Sequence, residues 1–351
     1  MKKAFINRIG TAVPPHDIHT AYRDFMGRGL DERQRILFER MAGRAAITHR
    51  YSVLPQDGMV EADEAREGFY RRGAYPGTAA RMAAYATHAP DLALQAVEAL
   101  GRPVGDVTHF ILTSCTGFVA PGLEQILAQK LGLRSDLQRL LVGFMGCCAA
   151  VPALRAAQSI VLADPAARVL VVNVELCTLH LQETTQLDTA LSFLLFGDGA
   201  AAALVTAEPE GLCMGDFVSV AIPDTEDHIT WHIGDQGFIM HLSGKVPGAI
   251  SRTLRDSPQA VLRGDAVQNI DLWAVHGGGR TILDAVQAGL ELPAEALAPS
   301  RAVLAAHGNM SSATVMFVLA AMMRSAAPGQ TGLAMAFGPG MAAETFRFAV
   351  A

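Results

Sequence analysis

A chain of 351 residues is long enough for two ordinary domains, or for two similar halves built around one core. Half of its residues are hydrophobic and 18% are charged, with a formal net charge of -6. A large core is therefore expected, and the basic stripe of a nucleic-acid binder is not. The five cysteines, Cys115, Cys147, Cys148, Cys177 and Cys213, are odd in number, irregularly spaced and without a Cys-x-x-Cys pair, which argues against disulfides and against a zinc site. The opening Met1-Lys2-Lys3-Ala4-Phe5-Ile6-Asn7-Arg8 lacks the apolar stretch of a secretion signal. The nearest uncharged apolar run, around Met310 to Met323, is too short to cross a bilayer. A cytoplasmic protein with no nucleic-acid partner, no membrane span and no metal is expected.

In chain order, the pattern predicts a first strand over Lys3 to Ile9, then a polar and mostly helical stretch from Thr11 to Ala89, broken near Pro55 and Pro76. Arg40, Arg44, His49 and Arg50 cluster there, which by itself reads as a solvated helix face. A helix over Pro90 to Leu100 ends at Gly101, and His109 to Ser114 is a short apolar run that reads as a buried strand. A helix over Pro121 to Leu131 stops at Gly132, and Arg139 to Phe144 is the next strand. Ala149 to Ala163 reads as a helix, Arg168 to Glu175 as a strand, and Ala200 to Val205 as another after the turn at Gly197-Asp198-Gly199. In the second half, strands are expected at Asp271 to Val275, Gly332 to Phe337 and Glu344 to Val350. Helices are expected over Thr281 to Ala288 and from Asn309 through Met323. Alternating β and α at this spacing implies a sheet covered by helices on both faces. There is no literal repeat, so two halves are read from element order alone.

Three residues with reactive side chains sit at strand-to-helix junctions, where sites form in open α/β sheets. Cys147 follows a strand and Gly146 and opens an Ala-rich helix, whose unpaired N–H groups and positive dipole end favour a thiolate. Most free cysteines are simply small buried hydrophobes, and Cys148 beside it competes for the role; one step along a helix swings a side chain by about 100°, so only one of the two faces a pocket. His276 ends an apolar strand and precedes Gly277-Gly278-Gly279, where backbone and ligand can approach closely; it reads as a proton acceptor or as a satisfied structural histidine. Asn309, in Gly308-Asn309-Met310-Ser311-Ser312-Ala313, also fits an ordinary N-cap. A fourth loop, Ala336-Phe337-Gly338-Pro339-Gly340, offers rigid backbone to a ligand.

The strings MGCCAAVPALR, LLFGDGAAA, WAVHGGGRTIL, HGNMSSATVMFVL and AFGPGMAAE, in this order from Thr113 to the C-terminus, resemble the signature segments of type III polyketide synthases, the chalcone synthase family. The N-terminal third fits more loosely. The resemblance implies an α/β thiolase-like fold with two similar halves, 1–210 carrying the Cys and 211–351 carrying the His and Asn, in a layered αβαβα core. It implies Cys147 as nucleophile, with His276 and Asn309 completing the triad. It implies Phe196 as the residue between CoA tunnel and reaction cavity, Gly338 and Pro339 as part of a loop that shapes the cavity, and Arg40 and Arg44 near the CoA phosphates. It also implies a homodimer, acyl-CoA and malonyl-CoA as substrates, and no cofactor beyond those CoA thioesters. An imidazolium at His276 would hold the Cys147 thiolate, and His276 with Asn309 would bind the enolate oxygen left by malonyl decarboxylation.

Cys115, Cys177, His180, Trp231 and Met240 are expected to line the cavity, with Cys115 as a wall residue and the small Ala120 widening a pocket. A fatty acyl starter giving an alkylpyrone or alkylresorcinol is the first expectation. A naphthalene or phloroglucinol made from malonyl-CoA alone is the second. A ketoacyl-ACP synthase III-like enzyme shares the chemistry, but His276-Gly277-Gly278-Gly279 and Phe337-Gly338-Pro339-Gly340 favour the polyketide synthase. A papain-like hydrolase does not share the segment order, and a binding-only protein would not need the intact Cys147, His276 and Asn309.

Overall fold

Alternation of side chains along the strands builds the layers. The computed structural model describes residues 2–351. Its first five sheet strands are β1 (Phe5–Ala12), β2 (His109–Ser114), β3 (Gln138–Gly143), β4 (Val169–Leu176) and β5 (Asp198–Thr206). Phe110, Leu112, Leu170, Val172, Ala202 and Leu204 pack on one side against α3 (Thr78–Glu98). The intervening Ile111, Val169, Val171, Ala201 and Ala203 pack on the other, against α5 (Ala150–Ala163). The second group of strands comprises β6 (Leu212–Ala221), β9 (Leu272–Val275), β10 (Thr331–Gly338) and β11 (Ala342–Val350), with a separate hairpin of β7 (Ile229–Gly234) and β8 (Gly237–Leu242) between β6 and β9. Ala334 and Ala336 of β10 join the cluster of α5, while Leu333, Met335 and Phe337 face α7 (Val246–Asp256) and α8 (Arg280–Gly289). The middle layer is α5 together with α10 (Ala313–Ser325), which touch each other. The result is a thiolase-like stack of five layers, αβαβα, as expected.

Strand order shows the two-fold repetition that the residues do not. The nine strands run β9-β10-β11-β6-β1-β5-β4-β2-β3. From β1 outward the pairings are antiparallel to β5, antiparallel to β4 and parallel to β2. From β6 outward they are antiparallel to β11, antiparallel to β10 and parallel to β9. A two-residue register between Phe5-Ile6 and Leu212-Cys213 joins the two sets.

Several expected elements shift. The N-terminal stretch yields only α1 (His19–Arg28) and α2 (Glu32–Arg44) before a long irregular segment with two-residue bridges. Pro90 does not start a helix; it lies inside the continuous α3. Buried Tyr85, Ala89, Leu92, Ala93 and Ala96 hold that helix on the sheet, and this packing outweighs the hydrogen bond that proline removes. α10 begins at Ala313, so Asn309 stands before it in an extended bridge to Phe196 rather than on the helix. Among the described residues only Gly146–Ala163 is long and apolar enough to cross a membrane, not the Met310 to Met323 run, and half of it is buried in the core. Short helices α4 (Leu123–Lys130), α6 (Leu187–Phe193) and α9 (Ala298–His307) complete the layers.

If α5 is the central layer, its two faces should respond differently. Leu154→Ala, in the core between the two strand groups, should cost about 2–5 kcal/mol in a denaturation midpoint. Ser159→Ala, exposed on the same helix, should stay within about 0.5 kcal/mol.

Candidate active site

The turn that carries Cys147 is fixed from outside itself. After β3 the chain reverses through Phe144 at φ 58° and Gly146 at φ 68°, then makes a single 3-10 turn over Gly146–Cys148 before α5. A Cβ on Gly146 would lie 2.3 Å from Pro339 Cδ, and one on Gly338 would lie 2.4 Å from Cys148 Sγ and 3.0 Å from Met145 O. The loop after β10 is therefore seated directly on the turn before α5, and only glycine fits at either position. Cys148 turns inward against this contact and is buried, while Cys147 lines a largely apolar cavity. The 100° difference between neighbours is resolved in favour of Cys147.

His276 and Asn309 line the same cavity. His276 is held by its backbone N–H donating to Met335 O at 2.8 Å, and both of its buried ring nitrogens lack a protein partner. Asn309 is clamped along its backbone, with N–H to Leu195 O at 2.7 Å and its own carbonyl accepting from Gly197 N–H at 3.0 Å. Its side-chain orientation follows from its neighbours: Oδ1 accepts the Ser311 N–H at 2.8 Å and Nδ2 donates to Gly278 O at 3.2 Å. Oδ1 is the atom facing Cys147 Sγ, at 4.0 Å. One Nδ2 hydrogen remains for a ligand.

Burial pushes the Cys147 thiol up to about 11, although side-chain hydrogen bonding with Ser311 and Asn309 pulls the other way. Burial alone pushes the His276 imidazole down to about 4. Each group considered alone is thus neutral at pH 7. A thiolate–imidazolium pair carries no more net charge than the neutral pair, so proton transfer between them depends on their mutual attraction and on the helix end behind Cys147.

The other expected residues divide. Cys115, Cys177, Phe196, Met240, Gly338 and Pro339 all line the cavity. Cys115 accepts the Gly146 N–H at 3.0 Å on Sγ, and burial raises its pKa well above the ordinary thiol value, which suits a wall residue. Trp231 lines the cavity too, pinned by Nε1–H donation to Cys115 O at 2.8 Å. His180 is a correction: it does not line the cavity. Its Nε2–H donates to Thr116 O at 2.7 Å, its Nδ1 accepts the Phe238 N–H at 2.9 Å, and its ring stacks on Phe238 at 4.2 Å. Burial holds it at about 3, a neutral structural staple. Ala120 is exposed and widens nothing here. Phe196, with Phe193 and Cys177, separates the main cavity from a second, smaller space lined by Tyr22, Met59 and Tyr70. Its carbonyl is held by the buried Arg50 at 2.6 Å.

A solvent cleft meets the main cavity along Leu242, Val246, Gly278 and Ile282. Arg44 lines that cleft, but the exposed Arg40 does not. Arg280, at the first turn of α8, does, and sequence reasoning passed over it. Two further residues were missed. Ser311, held at φ 48°, touches Cys147. Glu175, fully buried at the end of β4, takes Cys115 N–H at 2.9 Å, Thr116 Oγ1–H at 2.9 Å and Ser312 Oγ–H at 2.5 Å, and burial raises it to about 7. The signal was a carboxylate near the end of a strand that is otherwise apolar but for Asn173.

Comparison with known proteins agrees along the whole chain. Residues 1–209 match the model of the N-terminal domain of chalcone and stilbene synthases, and 217–350 that of their C-terminal domain. The crystal structure of PKS-I from the brown alga Ectocarpus siliculosus is similar at 30% identity over 100% of this chain and 99% of that one, with a TM-score of 0.89. The C-terminal type III polyketide synthase domain of Steely1, a type I/III hybrid from Dictyostelium, is similar at 25% identity over 99% of both chains, with a TM-score of 0.87. A CsyB variant shares the fold at 22% identity over 99% of this chain and 100% of that one, with a TM-score of 0.87.

Two measurements probe this geometry. Gly146→Ala should lose stability, and adding Pro339→Ala should restore part of it, because the ring is the nearest obstacle. A coupling of about 1 kcal/mol is expected, the remainder being left-handed backbone strain. Alkylation of Cys147 by iodoacetamide, followed by peptide mass spectrometry against pH, should show a midpoint in the native protein below that of His276→Ala. Without the imidazole the thiol should titrate near the burial-raised value of about 11. Equal midpoints would remove His276 as proton acceptor.

Proposed function

The chain belongs to the chalcone and stilbene synthase family, whose members are type III polyketide synthases, acyltransferases of decarboxylative condensation; from that premise we propose that Cys147, His276 and Asn309 carry the reaction on a fatty acyl starter. The observation that supports this most directly is that all three line one largely apolar cavity. In this reading Cys147 attacks the acyl-CoA thioester, His276 takes the thiol proton, and CoA leaves as the thiol. Malonyl-CoA then loses carbon dioxide, and the enolate oxygen is met by the His276 ring N–H and the free Asn309 N–H. The enolate carbon attacks the Cys147 thioester and extends the chain by two carbons.

The starter is inferred from shape. Trp231 fills the side of the cavity next to Cys115, and Cys177 is shared with the second space, so the room for a tail lies past Cys177. Each buried methylene contributes about 0.8 kcal/mol, so a tail lying past Cys177 favours long starters over acetyl-CoA. Cyclisation to an alkylpyrone or alkylresorcinol follows from such a starter. Turnover should be measured across acyl-CoA starters of increasing length with labelled malonyl-CoA. Cys147→Ala should lose all of it. Cys177→Phe should cut long-chain use about tenfold, equivalent to losing roughly two buried methylenes, while acetyl-CoA use stays level. Best use of acetyl-CoA, or of malonyl-CoA alone, by the native enzyme, with no change in Cys177→Phe, would replace this reading with a small-starter one.

We also propose a homodimer. β3 is an edge strand with Leu140 and Leu141 exposed, flanked by exposed Phe118 and Met145. An uncovered apolar edge of this kind is normally paired, and a second copy supplies a matching edge. Light scattering at micromolar concentration should give twice the chain mass, and Leu140→Asp with Leu141→Asp should lower it towards one.

A further inference from the structure

Helix α2 carries an exposed face that neither the fold nor the cavity uses. Its buried residues are Phe38 and Ala42. At 100° per residue, Arg33, Ile36, Leu37, Arg40, Met41 and Arg44 fall within an arc of about 140° on the other side. Ile36 is 60% exposed and Leu37 and Met41 are each 41% exposed, among the most exposed large hydrophobic side chains of the molecule. Among the described residues no carboxylate lies within ion-pair distance of Arg33, Arg40 or Arg44, whereas the two glutamates of α2 are spent elsewhere, Glu32 on Arg35 and Glu39 on Arg23. The face is therefore a ridge of three aliphatic side chains among three free guanidiniums, on a chain of net charge -6. Its C-terminal end opens on the cleft that leads to Cys147: Met41 and Arg44 line that cleft, as does Arg280.

The phosphates of a CoA nucleotide account for the arginines at the mouth. They do not account for Ile36 and Leu37, which lie off the cleft, nor for Arg33, about 16 Å along the helix from Arg44 at 1.5 Å per residue. A footprint of that length, basic with an apolar centre, is the complement of an acidic amphipathic helix. We propose that this face docks an acidic carrier protein, which delivers the acyl starter as a thioester on a phosphopantetheine arm through the cleft to Cys147. The inference rests on the reading of Cys147 as the acyl acceptor. The arm is chemically the same as that of CoA, so the tunnel need not change. In the transfer, Cys147 Sγ bonds to the acyl carbon, the carbon–sulfur bond to the arm breaks, and the arm sulfur leaves as a thiol with the proton released by Cys147.

The test compares two donors of one dodecanoyl group, dodecanoyl-CoA and a purified acidic acyl carrier protein loaded with dodecanoate, each with malonyl-CoA as extender. The native enzyme should use both, and KM for the loaded carrier should rise with salt while the apolar contact persists. Ile36→Ser with Leu37→Ser, and separately Arg33→Glu, should raise KM for the loaded carrier about tenfold and leave dodecanoyl-CoA turnover within about twofold, which also shows that the variants are folded. Use of dodecanoyl-CoA with no use of the loaded carrier would overturn the inference and leave the proposed function standing. Equal losses with both donors would overturn it too, as would co-sedimentation with phosphatidylserine vesicles that these variants abolish in an enzyme indifferent to the carrier. Failure of the native enzyme with every acyl-CoA starter would sink the proposed function itself.

Discussion

The contact between the turn at Met145–Cys148 and the loop Gly338–Gly340 is the constraint on which the site depends. It joins the first strand group to the second at backbone distance, with Gly146 under the Pro339 ring and Gly338 against Cys148 and Met145 O. Positive φ recurs on both sides of the contact, at Phe144 and Gly146 in the first turn and at Gly340 and Met341 in the second. Each is held by the other. Cys147 thus takes its position from the C-terminal half of the chain, where His276 is held on Met335 of the strand leading into the seated loop, while Asn309 is held by Leu195 and Gly197.

Around this contact the polar groups are few and mostly buried, and each has a stated partner or a stated vacancy. Glu175 ties the segment after β2 to the start of α10 through Cys115, Thr116 and Ser312. Arg50 ties Phe193 and Phe196 to the N-terminal segment. His276 differs from them in that neither of its ring nitrogens has a protein partner. An unpaired buried imidazole costs stability, and its persistence at the cavity wall marks the place where the polar part of a ligand is expected.

Much of this was legible in the sequence. Apolar runs such as His109 to Ser114 gave strands because burial on both faces leaves no other use for them, and Gly beside Cys147, His276 and Asn309 marked close backbone approach. What escaped was set by tertiary contact. Pro90 stays helical because a whole helix face is bound to the sheet. His180, a histidine near reactive residues, turned out to staple two backbone segments, a role that depends on Thr116 and Phe238 lying far away in sequence but adjacent in space. The hairpin β7–β8 and helix α7 went unread because their short, mixed pattern is intelligible only once the cavity they cover exists. Arg280 is ordinary by composition and acquires meaning only by lining the same cleft as Arg44.

The parallel bridge between Phe196 and Asn309 has a consequence for how such a chain can diversify. Because Leu195, Gly197 and Asn309 exchange backbone hydrogen bonds, displacing the segment around Phe196 would drag the Asn309 amide away from Cys147. Enlarging or reshaping the chamber by moving main chain is therefore closed to mutation without loss of chemistry. Heritable change in product must come through side-chain bulk at positions such as Cys177, Trp231 and Met240, one substitution at a time, each leaving the reacting atoms where they were.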